Sequence, residues 1–346
     1  MSSLFRIEIE KMSGYKPGEQ PSGRRFIKLN TNENPYPPSP KIKKFLRDLD
    51  ISILRLYPDP EAREIRKIIG EKFGLSPDNI IVGNGSDDIL TIAVRACAGQ
   101  GRAISCFEPS YSLYSILAQI QGAECVKAAL NEDFSMPSHI PPLFFKSAII
   151  MAARPNAPTG NSFTKEKIAD LCRRAAGIVL VDEAYADFAE DDCIDLLKKF
   201  DNLVICRTLS KSYSLAGIRL GFAMASKEII AQMMKVKDSY NVNRLSQEIA
   251  KIAIMDEKYF RRNINKIKKT RQILIEGLKN KKWKVFPTNA NFVFAEPPRG
   301  ESAESYCKRL KKRGIFVRWF GHPLTSKFVR ISVGTEKEIR ALLKET

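Results

Sequence analysis

The sequence predicts an α/β fold whose larger domain is built on a mostly parallel central sheet. From about residue 64 to 235, short apolar runs alternate with helical patterns, the runs being NIIVG, RAISCF, SAIIMA, GIVLVD, NLVICRT and LGFAMA. Strands that alternate with helices in this way are typical of βαβ units, in which helices cover the faces of a parallel sheet. With 346 residues, 44% of them hydrophobic, the chain is long enough for one large domain and a smaller one.

We expect three parts in chain order. Residues 1–35 are rich in Gly, Pro and Asn and cannot form a core of their own, so we predict an N-terminal arm that packs across the large domain or a neighbouring subunit. Residues 36–245 should form the large domain. After about residue 245 the pattern changes to long amphipathic helices with a few strands, which predicts a smaller α+β C-terminal domain over 246–346.

The net charge of +18 is concentrated in the last hundred residues, where 24 Lys or Arg face 10 Asp or Glu. Such an asymmetry raises the hypothesis of a nucleic-acid partner. However, the stretch YFRRNINKIKKTRQILIEGL places its apolar residues on one helical stripe, namely Phe260, Ile264, Ile267, Leu274 and Leu278. The cations then occupy the opposite face, as in an ordinary solvated helix, so we expect no nucleic-acid partner.

Other classes of protein are disfavoured by composition. No run approaches 18 apolar residues and the first twenty residues lack the apolar core of a secretory signal, so we expect a cytoplasmic protein with no membrane partner. The seven cysteines are scattered, odd in number and without CxxC spacing, and there are only two histidines. This pattern favours neither a disulfide framework nor a metal site.

Polar motifs follow the predicted strands at the points where ligands collect in parallel sheets, beyond the carboxyl ends. These motifs are GNGSDD, EPSY, RPNAPTG, DEAY and TLSK. Each has a plain structural interpretation. Ser86 could be an ordinary N-cap, Asp182 could cap the next element, the bend around Asn156 could be turn chemistry alone, and Lys211 could be a solvated loop lysine.

The joint occurrence of these motifs favours a specific site. A helix N-terminus that can cradle a phosphate, an aromatic residue, an asparagine, a strand-end aspartate and a loop lysine are the parts needed to hold a phosphorylated pyridine aldehyde. With these motifs, and with LNTNENPYPPSP, LYPDP, YNVNRLSQ, ANFVF and VRISVGT, the sequence resembles the fold-type I pyridoxal-phosphate-dependent aminotransferases over nearly its whole length. Within them it resembles the histidinol-phosphate aminotransferase family.

The resemblance implies roles around a pyridoxal 5'-phosphate cofactor. Lys211 matches the lysine that binds the cofactor covalently and carries protons, and Asp182 matches the acid that pairs with the pyridinium nitrogen. Asn156 and Tyr185 match the hydrogen-bonding partners of the ring 3-oxygen. Tyr111 matches the aromatic residue that stacks on the ring.

Residues for the cofactor phosphate are implied in the same way. Four of them match its binders: Ser86, Asp87 through its backbone N–H, Ser210 and Arg219. Thr208 is expected to assist through its hydroxyl. In this family a tyrosine of the other subunit also reaches the phosphate, and Tyr57 in LYPDP matches it. The resemblance therefore implies a homodimer with shared active sites.

For the substrate, Arg330 in FVRISVG matches the arginine that binds an α-carboxylate across this superfamily. Histidinol phosphate carries a phosphate there, so one guanidinium could serve both this phosphate and the carboxylate of glutamate. Tyr15, Asn34 and Arg318 are expected to help. The alternative for the two arginines is a pair of surface strand charges.

The resemblance implies transfer of an amino group between L-histidinol phosphate and 2-oxoglutarate, in a ping-pong cycle of histidine biosynthesis. Threonine-phosphate decarboxylase shares LYPDP and the lysine loop, but YNVNRLSQ and VRWFGHP favour the aminotransferase. The motifs are also compatible with an aromatic amino-acid aminotransferase, and the charge with a basic nucleic-acid-binding protein on an inactive scaffold. The family's NPNNPTG reads RPNAPTG here, so Arg154 and Ala157 depart from the pattern while Asn156 is kept.

Overall fold

The structure is a computed structural model that describes residues 4–15, 17–21 and 26–346. Its strands are β1 Ile27–Lys28, β2 Ile80–Gly83, β3 Ile104–Glu108, β4 Cys125–Ala129, β5 Ile149–Ala153, β6 Ile178–Asp182, β7 Leu203–Thr208, β8 Gly221–Ala225, β9 Lys284–Val285, β10 Phe292–Glu296, β11 Ile315–Phe316, β12 Arg318–Trp319 and β13 Val329–Ser332. Its α-helices are α1 Ile7–Lys11, α2 Pro40–Arg47, α3 Arg63–Phe73, α4 Ser86–Cys97, α5 Leu113–Gln121, α6 Pro142–Phe145, α7 Lys165–Arg174, α8 Lys227–Val236, α9 Arg244–Met255, α10 Glu257–Asn280, α11 Ala303–Lys312 and α12 Glu336–Glu345.

The large sheet has seven strands in the order β2-β8-β7-β6-β5-β3-β4. All neighbouring pairs are parallel except those made by β8, which runs antiparallel to both β2 and β7. The predicted mostly parallel sheet is confirmed. Because β6 lies at the centre, between β5 and β7, its carboxyl end is flanked on both sides by other strand ends.

Both faces of this sheet are buried, which explains why its strands read as continuous apolar runs. Ile150 and Val179 pack into a core on one face, and Ile149 and Leu180 pack into a core on the other. Helices cover both cores, and several begin at a hydroxyl cap, as α7 does where the Thr164 hydroxyl accepts the Lys167 N–H. The result is a rigid layer whose strand ends define one edge.

A second sheet is formed by strands from the C-terminal part, in the antiparallel order β12-β13-β10-β9. Its core includes Leu274 and Leu278 of α10, while the cations Arg261 and Arg262 of the same helix are exposed. The predicted apolar stripe of this helix is confirmed. The N-terminal segment reaches this region because β1 pairs in parallel with β11, Ile27 facing Ile315.

The division into an arm at 1–35, a large domain at 36–245 and a small domain at 246–346 stays a prediction. Parts of the arm, residues 1–3, 16 and 22–25, lie outside the described residues. Helix α9 spans the expected boundary and packs against α2 and α3, with Ile249 and Ala250 in the core of the large sheet. Among the described residues, no helix combines the length and the apolar character needed to cross a membrane.

Candidate active site

A cavity of about 820 Å³ opens at the carboxyl ends of the central strands. Its wall includes twelve of the residues predicted from the sequence: Tyr15, Ser86, Asp87, Tyr111, Asp182, Tyr185, Thr208, Ser210, Lys211, Arg219, Arg318 and Arg330. Residues from the N-terminal segment, the large sheet and the second sheet thus meet around one space. The volume lies within the usual range for sites that hold small molecules.

Lys211 lies in the loop between β7 and β8, and its Nζ donates a hydrogen bond to the Thr31 carbonyl at 3.2 Å. The next residue fixes this loop, because the Ser212 hydroxyl donates to Asp187 at 2.5 Å and the Ser212 carbonyl accepts from Asn34 at 3.1 Å. Burial lowers the pKa of Lys211 to about 8, and the nearby positive charge of Arg330 acts in the same direction. Roughly a tenth of this amine is therefore neutral at pH 7, far more than for an ordinary lysine, and the neutral amine is the form that a nucleophile requires.

Asp182 ends the central strand β6 and is buried. Its Oδ2 accepts the Tyr114 hydroxyl at 2.9 Å, and its Oδ1 accepts the Ala184 N–H at 3.1 Å. Burial raises the pKa of Asp182 to about 6, and these two hydrogen bonds limit the rise. The carboxylate is thus ionised at pH 7 and can pair with a cation in the cavity.

The N-terminus of α4 forms one end of the cavity. Gly85, with φ +87°, is its N-cap, and no side chain within the described part of the chain caps the helix. The alternative that Ser86 is an ordinary N-cap is therefore wrong, since Ser86 is already the first helical residue. The uncapped first turn lines the cavity through Ser86 and Asp87, and free N–H groups at a helix N-terminus are suited to an anion.

Arg219 brings a positive charge to the same place. Its guanidinium donates to the Ser210 hydroxyl at 3.3 Å and lies 3.4 Å from an Asp87 carboxylate oxygen. A Cβ at Gly85 would lie 2.4 Å from this guanidinium, so the close approach depends on glycine. The donor set of backbone N–H groups, hydroxyls and guanidinium fits a phosphate.

Two tyrosines form the sides of the cavity. Tyr111 donates to Asp87 at 3.1 Å, and its ring meets that of Tyr15 edge to face at 5.9 Å between centroids. The Tyr185 hydroxyl accepts from Asn32 at 2.9 Å, and Asn32 is held by two hydrogen bonds with Ser332. Tyr111 and Asp182 both line the cavity, so a pyridine ring bound there can stack on the tyrosine and turn its nitrogen to the carboxylate.

Arg318 and Arg330 face each other across β12 and β13. Their guanidinium groups lie 5.4 and 5.2 Å from the centre of the Phe320 ring, and Arg330 donates to the Asn30 carbonyl at 2.9 Å. The Nε of Arg330 is buried without a hydrogen-bond partner, and no described carboxylate pairs with this side chain. An arginine in this state is suited to bind an anionic ligand.

Three predicted residues do not line the cavity. Asn156 is fully buried behind it, where its amide donates to the Pro109 carbonyl and to Thr159. Asn34 supports the Lys211 loop rather than the cavity. Tyr57 is 77% exposed and stacks on Tyr240 at 4.5 Å, so any role at a cofactor requires a second subunit.

Sequence reasoning missed several supporting residues. Tyr114 was signalled only by its spacing in EPSYSLY, and Asn32 by the motif TNENP. Arg154, which departs from the family motif, is fully buried and donates to the Phe163 carbonyl at 2.6 Å and to Asp191 at 2.7 Å.

A buried network of ion pairs extends from Arg154 to the loop that carries Lys211. Glu183 lies 3.8 Å from Arg154 and pairs with Arg207 at 2.8 Å. Arg207 in turn reaches Asp187, which holds Ser212. The network therefore connects the strand that carries Asp182 with the loop that carries Lys211.

Comparison with known proteins agrees with this geometry. Residues 24–345 match the family model described as "Aminotransferase class I and II". The chain belongs to this family, whose members are pyridoxal-phosphate-dependent enzymes. The predicted fold type, enzyme class and cofactor are confirmed.

More closely related proteins carry a narrower name. A histidinol-phosphate aminotransferase of Crocosphaera subtropica is 43% identical over 97% of this chain and 95% of its own length. Another, from Citrifermentans bemidjiense, is 44% identical over 98% of this chain and 97% of its own length. The predicted resemblance to the histidinol-phosphate aminotransferases is confirmed.

Solved structures share the fold. The histidinol-phosphate aminotransferase of Sinorhizobium meliloti in complex with pyridoxal-5'-phosphate superposes with a TM-score of 0.86 at 22% identity, covering 99% of this chain and 96% of that one. An L-threonine-O-3-phosphate decarboxylase of Porphyromonas gingivalis has a TM-score of 0.81 at 20% identity, covering 92% and 98%. The fold alone therefore does not separate the aminotransferase from the decarboxylase.

Proposed function

We propose that this chain catalyses amino transfer between L-histidinol phosphate and 2-oxoglutarate in histidine biosynthesis. The observation that carries the proposal is Arg330, which lies in the same cavity as the Lys211 amine and has no carboxylate partner among the described residues. An amine substrate that also bears a phosphate supplies the anion that this guanidinium lacks. The names of the relatives at 43 and 44% identity support the same substrate.

The residues that line the cavity have distinct proposed roles towards the cofactor. Pyridoxal 5'-phosphate supplies an aldehyde for amine exchange and a pyridine ring that accepts electrons. The α4 N-terminus, Ser210 and Arg219 hold its phosphate, with Thr208 assisting through its hydrogen bond to Ser210 at 3.0 Å. Asp182 holds the proton at the pyridine nitrogen, since a buried carboxylate favours a cation beside it.

Lys211 provides the covalent attachment and moves protons at its Nζ. Its lowered pKa keeps a fraction of the amine neutral, and the Ser212 and Asn34 contacts fix the loop that carries it. Tyr111 covers one face of the ring. Tyr185, whose hydroxyl accepts from Asn32, would donate its own proton to the ring oxygen.

The assembly we propose is a homodimer in which Tyr57 reaches the phosphate site of the neighbouring subunit. Tyr57 is exposed and lies beside other exposed apolar residues, Ile51, Leu54 and Leu56. An apolar surface of this kind is suited to a subunit interface. Buried against a partner, it would bring the hydroxyl to a site that this chain does not reach alone.

A comparison of substrates tests the activity. Purified enzyme is assayed with 2-oxoglutarate and L-histidinol phosphate, histidinol, phenylalanine or threonine phosphate. We expect the phosphate to be required, because histidinol brings no anion to the buried guanidinium of Arg330. A preference for phenylalanine, or carbon dioxide release from threonine phosphate, would assign the chain to another reaction of the same fold.

Two further measurements locate the chemistry. Borohydride reduction should fix the cofactor on the peptide that contains Lys211, and a label on another lysine would contradict the assignment. Arg330→Leu should slow both the histidinol phosphate and the glutamate half-reactions, since one guanidinium serves both anions. An effect confined to one half-reaction would limit Arg330 to that substrate.

A further inference from the structure

One charged wall of the cavity contains none of the residues proposed to bind the cofactor or the phosphate of the substrate. Glu108, Lys127 and His322 all line it. Glu108 ends β3, three residues before Tyr111, and Lys127 lies on the neighbouring strand β4. This wall is therefore at the same strand-end edge as the catalytic residues.

Lys127 and Glu108 form a close pair. The Lys127 Nζ donates to Glu108 Oε1 at 2.7 Å, and this hydrogen bond raises the pKa of Lys127. The other carboxylate oxygen, Oε2, has no hydrogen bond to any residue that the structure describes. Glu108 is thus a fixed carboxylate with a free acceptor on the cavity wall.

An imidazole already lies beside this carboxylate. The Nε2 of His322 is 3.7 Å from Glu108 Oε1, and His322 belongs to the loop that follows β12. Two residues earlier in the same loop, the Phe320 ring lies beside the guanidinium groups of both Arg318 and Arg330. One short loop therefore connects the arginine pair with the Glu108 wall on the margin of the cavity.

We propose that Glu108 accepts a hydrogen bond from the imidazole N–H of the substrate and so determines specificity for that ring. This inference rests on the proposed function. Two arms leave the amine-bearing carbon of L-histidinol phosphate, one ending in phosphate and the other in imidazole. With the phosphate at Arg330, the imidazole needs an acceptor elsewhere in the cavity, and Glu108 supplies a carboxylate oxygen that its contact with Lys127 orients.

The Glu108 carboxylate would also discriminate between the two amino donors of the cycle, L-histidinol phosphate and glutamate. Glutamate and 2-oxoglutarate have no ring N–H to donate, so they gain nothing from Glu108. A phenyl ring in place of the imidazole likewise leaves the carboxylate without a donor, which a partly enclosed acceptor disfavours. Specificity for the ring should therefore depend on Glu108 and specificity for the phosphate on the arginine pair.

The test uses the cofactor-loaded enzyme and separate half-reactions. Glu108→Ala should lower kcat/KM for L-histidinol phosphate about tenfold to a hundredfold, the effect of one hydrogen bond to a charged group. The glutamate half-reaction should not fall. Glu108→Gln keeps an acceptor oxygen and should lose less, and Lys127→Met should show a smaller loss confined to the same substrate.

Two comparisons make the result specific. The first comparison uses an analogue of L-histidinol phosphate with phenyl in place of imidazole. The natural enzyme should have a much lower kcat/KM for this analogue than for L-histidinol phosphate. In Glu108→Ala the two values of kcat/KM should be nearly equal. The control variant is Glu124→Ala. Glu124 is exposed and immediately precedes the first residue of β4, so its loss should leave both half-reactions unchanged. The Glu108–Lys127 pair is partly exposed, so little stability should be lost with it.

Several outcomes would overturn the inference. Glu108→Ala could slow both half-reactions equally, leave both unchanged, or keep the preference for imidazole over phenyl. In each case Glu108 would be only the ion-pair partner of Lys127. Failure of the proposed function is distinguishable, because the natural enzyme itself would then not use L-histidinol phosphate.

Discussion

Replacing Lys211 by Met should stabilise the cofactor-free protein while it abolishes covalent attachment of the cofactor. The amine is held where burial and the charge of Arg330 lower its pKa from 10.5 to about 8. At about 1.36 kcal/mol for each tenfold change in proton affinity, this difference corresponds to about 3 kcal/mol. Methionine has a similar unbranched shape and no charge, so it should recover most of that free energy.

The dependence on pH gives the prediction its sign. Between pH 8 and 10.5 the unfolded chain keeps a proton at Nζ that the folded chain has released, so the stability of the natural protein rises with pH. Below pH 8 Lys211 is protonated in the folded protein as well, so the whole free-energy cost of burying its charge is present. The advantage of Lys211→Met should therefore be largest at pH 7, about half as large near pH 9, and absent by about pH 10.5.

Urea unfolding of the cofactor-free natural and variant proteins at about pH 7, 9 and 10 measures this difference. Lys227→Met is a matched control, because Lys227 is largely exposed and pairs with Asp78 at 3.4 Å. That variant should change the free energy of unfolding by less than about 1 kcal/mol. A Lys211→Met protein less stable than the natural one at pH 7, or an advantage that does not shrink with pH, would refute the reasoning.

Asp182→Asn should lower turnover at least about 100-fold, by analogy with charge-stabilising groups in other enzymes. Absorbance should show that the variant still binds the cofactor through its phosphate. A decrease in turnover of less than about tenfold would mean that Asp182 has only a structural role. Arg154→Met should cost about 1–3 kcal/mol of unfolding free energy in urea titrations, because it leaves the buried Phe163 carbonyl without its donor and removes one of the two cations beside Glu183. Arg154→Lys should restore part of this, and a loss under about 1 kcal/mol would show that water replaces the guanidinium. Mixing Lys211→Ala chains with Tyr57→Ala chains should restore one intact site in each hybrid dimer, seen as activity above the sum of the two parents; no recovery would argue against a shared site.

The residues that could be predicted from the sequence are those fixed by their position at the end of a strand. Asp182 and Lys211 follow apolar runs that can only be buried strands, and parallel pairing brings such ends to one edge. Ser86 follows the same logic, since a glycine turn and an apolar-periodic helix place its N–H in the cavity. Local pattern and backbone geometry are sufficient in these cases.

The supporting residues depend on side-chain partners far apart in the chain, which no local pattern reveals. Asn32 and Ser332 are 300 positions apart, yet they orient Tyr185 together. The sequence shows Arg154 only as a departure from a turn motif, whereas its buried contacts with Glu183 and Asp191 give it a structural role. The uneven net charge was equally uninformative, because the exposed face of α10 accounts for cations that have nothing to do with the cavity.

The cavity concentrates charges that are unfavourable without a ligand. Lys211 is largely enclosed, and the Nε of Arg330 has no hydrogen-bond partner in residues 4–15, 17–21 and 26–346. At the other end, Arg219 faces an uncapped helix N-terminus. Groups of this kind reduce the stability of the folded chain because their solvation is lost without full replacement. A phosphorylated cofactor and an anionic substrate provide what is missing, so binding should stabilise the protein by more than contact area alone predicts. The donors whose solvation is incompletely replaced in the folded chain, the Arg330 guanidinium and the first turn of α4, are thus the ones that select phosphate-bearing ligands.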